Sequence, residues 1–222
     1  MKPFKLALCA AAGFLALTLG NGYAKADYVY QLNHNNGGVI GSIGTVDVSL
    51  TGSSLARITF TLDTGYYIQG SSGRAGNSAA ANVTGTFTAD NSYSYKQASG
   101  YSGTPTWQGL GGGSLGGHYG SFTQVWDKSR GHNDLVYSVT FTVNGNWTSD
   151  SSVLSANAGG YVAGLHVFSS YTWNCNKQTF FAAADIKSGS EVPEPSTLIL
   201  LGSGMLGWML FYRRRQKAQE RA

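Results

Sequence analysis

Between residues 27 and 190 apolar and polar residues alternate in short runs, and no strong helical spacing competes with them. Period-two alternation is what a half-buried β-strand requires, because successive side chains point to opposite faces. Val46, Val48 and Leu50 alternate with Thr45, Asp47 and Ser49. Ile58, Phe60 and Leu62 alternate with Arg57, Thr59, Thr61 and Asp63. Val83 and Phe87 share a face opposite Thr84, Thr86 and Thr88. Tyr137, Val139, Phe141 and Val143 alternate with Ser138, Thr140 and Thr142, and this run stops at Asn144-Gly145, a dipeptide that favours a tight hairpin. Residues 161–168 are apolar on both faces and predict a central strand. Clusters of Gly, Ser and Asn separate the runs. The expected class is all-β, a β-sandwich or jelly-roll-like domain over 27–190.

One stretch departs from this pattern. Residues 100–121 concentrate glycine around Trp107, His118 and Tyr119, which predicts a long surface loop or a wide hairpin tip. Two motif matches fall inside it. Gly111, Gly113 and Gly116 fit a nucleotide-loop spacing, and Gly112, Ser114 and Gly116 fit a hydrolase elbow. Neither has the strand–turn–helix context its chemistry needs, so both read as accidents of glycine density.

Charge limits function further. The 222-residue chain has a net charge of +4, but the excess lies at its two ends. Residues 27–190 hold seven basic residues against eight aspartates and no glutamate, a net charge of −1. Nucleic-acid binding is therefore not expected, since it draws on clustered cations along a face. A glycosidase sets two carboxyl groups across a cleft, and these aspartates stand far apart in sequence, so an enzyme is not expected either.

No cofactor or metal is expected. His34, His118, His132 and His166 fall in no tight ligand spacing, and Gly131-His132-Asn133-Asp134 reads as a turn with Asp134 the one candidate Ca²⁺ ligand. Cys175 is the only cysteine beyond residue 26, so no internal disulfide forms there; it is a buried or idle thiol, with an intermolecular bridge as the alternative.

The basic ends flank apolar runs. Lys2 and Lys5 precede an apolar stretch from Leu6 to Leu19, and Ala24-Lys25-Ala26 follows just before Asp27. Residues 1–26 have the form of a secretory signal peptide, with Ala24 and Ala26 as the small residues before the cut and Asp27 as the first residue after it. At the other end Pro193-Glu194-Pro195 precedes an uncharged apolar run at 196–212, then Arg213, Arg214 and Arg215 in a basic tail at 213–222. Seventeen helical residues reach about 26 Å, the short end of a bilayer span. The arginines hold their side of that span in the cytoplasm, which leaves the Pro-Glu-Pro side outward.

Val192-Pro193-Glu194-Pro195-Ser196-Thr197, the short apolar run with Gly202, Gly204 and Gly207, and the arginine cluster together resemble the PEP-CTERM sorting signal. The resemblance covers 191–215, within an expected C-terminal segment at 191–222. It implies that an exosortase in the membrane recognises Pro193, Glu194 and Pro195, removes the tag and passes the protein to the cell surface. It also implies a Gram-negative bacterium that makes exopolysaccharide.

The expected function is a non-catalytic surface or extracellular-matrix protein associated with exopolysaccharide, held by a transient C-terminal membrane span. The alternative is a carbohydrate-binding module, for which Trp107, Tyr119 and Trp126 are the candidate glycan contacts. Core packing is the competing role for such tryptophans.

Overall fold

Where the alternation is clearest the chain forms strands. The computed structural model describes residues 27–70, 77–129, 134–170 and 178–192, together with Gly204, Met205 and Trp208. Among the described residues the strands in chain order are β1 (Asp27–Gln31), β2 (His34–Asn35), β3 (Gly44–Thr51), β4 (Leu55–Leu62), β5 (Tyr66–Ile68), β6 (Ala79–Ala81), β7 (Thr88–Gln97), β8 (Trp107–Ser114), β9 (Ser121–Lys128), β10 (Val136–Asn144), β11 (Tyr161–Ser169), β12 (Gln178–Asp185) and β13 (Ser190–Val192). Asp150–Ser152 and Ile186–Ser188 form short 3-10 turns.

The strands build two antiparallel sheets. The six-stranded sheet runs β13-β1-β3-β4-β10-β7, and the seven-stranded sheet runs β2-β12-β11-β6-β9-β8 with β5 also paired to β11. β5 and β6 lie end to end along one side of β11: Ile68 faces Val167 and Ala79 faces Leu165. Between them the chain leaves the sheet after Gln69 and returns at Ser78, and both residues hydrogen-bond the His166 backbone.

The sheets pack face to face because each strand turns its apolar alternation inward. Val46, Val48, Ile58, Phe60, Val139, Phe141 and Val143 from the first sheet share one core with Ile68, Trp126, Val162, Leu165 and Val167 from the second. Each such burial stabilises the fold by roughly 1.5–3 kcal/mol. Trp126 stacks flat on Phe141 across the core, with ring centroids 4.2 Å apart and planes at 5°.

A second, smaller cluster lies on the outer face of the seven-stranded sheet. Leu115 and Tyr119, in the tip between β8 and β9, pack with Ala80, Phe122, Val125 and Ala183, and Tyr161 and Phe181 lie against them. The tip turns back onto the sheet through Gly116 at φ +58°, where an added Cβ would collide with the Phe181 ring. The glycine-rich stretch is thus a hairpin, with strand from Trp107 to Ser114 and again from Ser121. Ser114 ends a hairpin strand, so it occupies no hydrolase elbow.

Three expectations are corrected. The run expected over 83–88 forms no strand before Thr88: Val83 makes one isolated bridge to Leu154, and residues 82–87 carry the chain from β6 in one sheet to β7 in the other. Asn144-Gly145 closes no hairpin, because β11 pairs with β12, β5 and β6 rather than with β10. Gly145 is needed instead beside Trp147, whose ring lies 2.5 Å from where a Cβ would stand. The Gly145 and Trp147 amides donate to the Ser54 and Ser53 carbonyls, and the indole N–H donates to the Thr84 hydroxyl at 3.0 Å. Finally, a register shift between Val136 and Ser138 puts Val136 in the core and leaves Tyr137 only half-buried.

The β-region closes at Val192, two residues past the expected boundary, because Ser190, Glu191 and Val192 pair with Val29, Tyr28 and Asp27. The sequence features at 1–26, at Pro193, Glu194 and Pro195, and at Arg213, Arg214 and Arg215 lie outside the described residues, as do His132, Trp173 and Cys175. Of the expected span at 196–212, Gly204, Met205 and Trp208 are described and helical. Among the described residues no helix is long and apolar enough to cross a membrane.

Candidate functional site

The outward face of the six-stranded sheet carries the polar half of the alternation. Registry aligns Thr45, Thr61 and Ser138 in one row across β3, β4 and β10. Asp47, Thr59, Thr140 and Ser94 form the next row, reaching β7, and Ser49, Arg57 and Thr142 form the third. Neighbouring hydroxyls bond across the strands: Thr59 to Thr140 at 2.9 Å and Thr61 to Ser138 at 3.1 Å. Cross-strand pairs of this kind fix side-chain direction as well as adding stability.

A bulge in β7 gives this face relief. Tyr93 faces Phe141 and Ala89 faces Val143, so residues 90–92 of β7 stand against the single residue Thr142. The Ser92 hydroxyl and amide both donate to the Asp90 carboxylate, at 2.9 and 3.2 Å. Bulges bend a strand and re-aim its side chains. Here the bend raises Ser92, Tyr93 and Ser94 as one wall of a groove of about 520 Å³, and Arg57, Thr59 and Thr140 line its floor. That volume falls within the roughly 300–1,000 Å³ usual for small-molecule sites.

The groove suits binding. Its side-chain lining consists of serine and threonine hydroxyls and the Arg57 guanidinium, and it includes no carboxylate, histidine or cysteine; Tyr93 borders it, but its ring packs against the core beside Phe141. Hydroxyls both donate and accept, whereas guanidinium only donates. Arg57 is exposed and makes no ion pair with a described residue. Asp47 stands in the next row, beside Thr59; its carboxylate accepts from the Thr45 hydroxyl at 3.0 Å. Burial raises the Asp47 pKa, and the Thr45 bond works against that.

The aromatic residues named from sequence are placed elsewhere, in packing rather than at the surface. Trp126 is 2 % exposed on Phe141, and Trp107 is 7 % exposed and edge-on to the same ring at 5.1 Å. Tyr119, 7 % exposed, donates its hydroxyl to the Phe181 carbonyl at 3.3 Å. Burial, with a smaller push from Tyr161, raises that hydroxyl to about 12. Asp134 is likewise buried, and the Lys128 ammonium lies 3.2 Å from its carboxylate, in the place considered for Ca²⁺. Burial lowers the Lys128 pKa while Asp134 opposes the shift. Three histidines distant in sequence pack against aromatic rings of the second sheet: His118 and His166 beside Phe181, and His34 beside Tyr161 and Asp185.

The groove was visible in the sequence only as separate polar faces. Arg57, Thr59, Thr140 and Thr142 stand out there as the hydrophilic members of two alternations. That β4 and β10 are neighbours, and that a bulged β7 closes the third side, has no local signal.

Comparison with known proteins gives one match. Residues 191–215 match the family described as the PEP-CTERM protein-sorting motif, so Glu191 and Val192 belong both to the matched region and to β13. No curated protein and no solved structure matches the chain. The match covers about a tenth of the chain, and it indicates export and sorting to the cell envelope or surface. Residues 191–215 are a PEP-CTERM protein-sorting motif, consistent with an exosortase substrate.

Proposed function

We propose that the protein is a non-catalytic surface or extracellular-matrix protein of a Gram-negative bacterium, sorted through Pro193, Glu194 and Pro195 and associated with exopolysaccharide. The observation that carries this reading is the sorting motif at 191–215. The signal peptide at 1–26 exports the chain, and the apolar run at 196–212 holds it in the inner membrane with Arg213, Arg214 and Arg215 inside. An exosortase then removes the tag. The near-neutral region 27–190 and its hydroxyl-covered sheet face suit a hydrated polysaccharide better than a nucleic acid.

Deleting residues 193–222 tests the sorting step. The full-length protein is expected at the cell surface in a shortened form, with a mass that fixes both cleavage points. The deletion variant is expected in the periplasm or medium. Equal surface retention of the two would overturn the sorting role.

A second reading, a carbohydrate-binding module, is favoured by the groove. Its rows of hydroxyls and the Arg57 guanidinium supply hydrogen bonds of the kind sugar hydroxyls use. Saturable binding to a polysaccharide is the property it requires.

A further inference from the structure

We infer that the groove on the six-stranded sheet takes an acidic saccharide, a polyuronate segment whose carboxylate pairs with Arg57 while its hydroxyls bond the Thr59–Thr140 row. This rests on the reading that the domain binds glycan, and it adds the chemical class.

Charge supplies the first argument. Arg57 is the one charged residue in the groove lining, and it pairs with no described carboxylate. A guanidinium fork matches a carboxylate with two parallel hydrogen bonds. Two acids stand near it in the registry, and each is engaged by a hydroxyl: Asp47 accepts from Thr45, and Asp90, in the bulge opposite Thr142, accepts from Ser92. Lys96 faces Ser138 at the β7 end of the same sheet, so the face carries a second cation along the line of the rows.

Geometry supplies the second. Neighbouring strands place their side chains about 4.8 Å apart, and alternate residues along one strand stand about 6.8 Å apart. The face is therefore a fixed grid of hydroxyls, and the Thr59–Thr140 and Thr61–Ser138 bonds hold it in place before any ligand arrives. Such preorganisation lowers the entropy cost of binding. One guanidinium within a field of hydroxyls complements a sugar chain with one carboxylate per ring. A phosphate-dense polymer would call for clustered cations, and residues 27–190 have a net charge of −1.

The test uses the full chain, purified in a polyoxyethylene detergent so that no sugar headgroup competes. Binding to alginate and to dextran is measured at low salt for the wild type and for Arg57→Gln, Thr140→Val and Lys187→Gln. Lys187 is an exposed cation in the turn after β12 and serves as the charge control. Circular dichroism and thermal melting verify that each variant folds. Alginate binding is expected to exceed dextran binding, and Arg57→Gln is expected to weaken it about tenfold, the size of one hydrogen bond to a charged group. Thr140→Val weakens it less, and Lys187→Gln leaves it unchanged. Equal binding of dextran and alginate, with Arg57→Gln silent, would overturn the acidic ligand and leave the glycan reading standing. Equal losses in Arg57→Gln and Lys187→Gln would overturn the groove as the site. Binding to neither polymer would overturn both readings.

Discussion

His166 lies opposite the gap between β5 and β6, and its backbone hydrogen-bonds Gln69 on one side of the gap and Ser78 on the other. Its ring stacks on Phe181 with centroids 4.5 Å apart, and its Nδ1 is buried without a hydrogen-bond partner. Burial pushes its pKa down to about 4, and the charge of Asp127 opposes the shift. The folded protein therefore keeps this ring neutral where the unfolded chain, with its ordinary value of 6.5, already binds a proton. The stabilisation is complete above about pH 6.5 and is lost as the pH falls toward 4, by up to about 3 kcal/mol. Urea midpoints measured from pH 8 to pH 4 should decline across that window in the wild type. In His166→Phe, which keeps the stack, the decline should be visibly shallower. Parallel curves would show that His166 does not set the acid limit. The residue is legible in the sequence only as a histidine in an apolar strand. Its partner Phe181 comes from β12, which no alternation announced.

At the scale of elements, the legible strands are those with one wet and one dry face. β3, β4 and β10 alternate cleanly because one side of their sheet meets solvent, and β11 reads as a central strand because both its faces are covered. The illegible ones have unusual composition for physical reasons. β6 is Ala79-Ala80-Ala81, small enough to lie between the main core and the outer cluster. β8 is half glycine because its hairpin bends through two register shifts, between Gly109 and Gly111 and between Gly111 and Gly113, and bends back over the sheet at its tip. Bulges of this kind also discourage an edge strand from pairing with another molecule. The tip depends on Gly116, which combines a left-handed backbone with the Phe181 ring where a Cβ would stand. Gly116→Ala is expected to cost about 2–4 kcal/mol, from backbone strain together with overpacking. In a Phe181→Ala background the collision disappears, and the same substitution should cost only about 1 kcal/mol of strain. Chemical denaturation of the four proteins measures the difference. Additive effects would place the whole penalty in the backbone.

Across the whole molecule, sequence distance and spatial distance are unrelated at the places that matter. The groove draws Ser49 and Arg57 from one hairpin, Ser94 from β7 and Thr140 from β10, so no window of sequence contains it. The ends of the β-region show the same property. β13 lies along β1, with Asp27, the expected first residue after signal cleavage, opposite Val192, the residue before Pro193. A cut within Pro193-Glu194-Pro195 leaves β13 in place, whereas a cut before Ser190 removes it and makes β1 the edge of the six-stranded sheet. Gly189 approaches the Tyr28 and Tyr30 rings, so the loss would also loosen the start of β1. Chains ending at Val192 and at Gly189 should therefore differ. The shorter one should melt roughly 3–6 °C lower, corresponding to about 1–2 kcal/mol for a domain of this size. Its extra hydrogen exchange should be confined to the amides of β1, while those of β4 and β10 keep their protection, because unpairing an edge strand is a local opening. Identical melting and unchanged exchange in β1 would show that the three residues add nothing to the fold, and would put the functional start of the sorting segment at Ser190 rather than at Pro193.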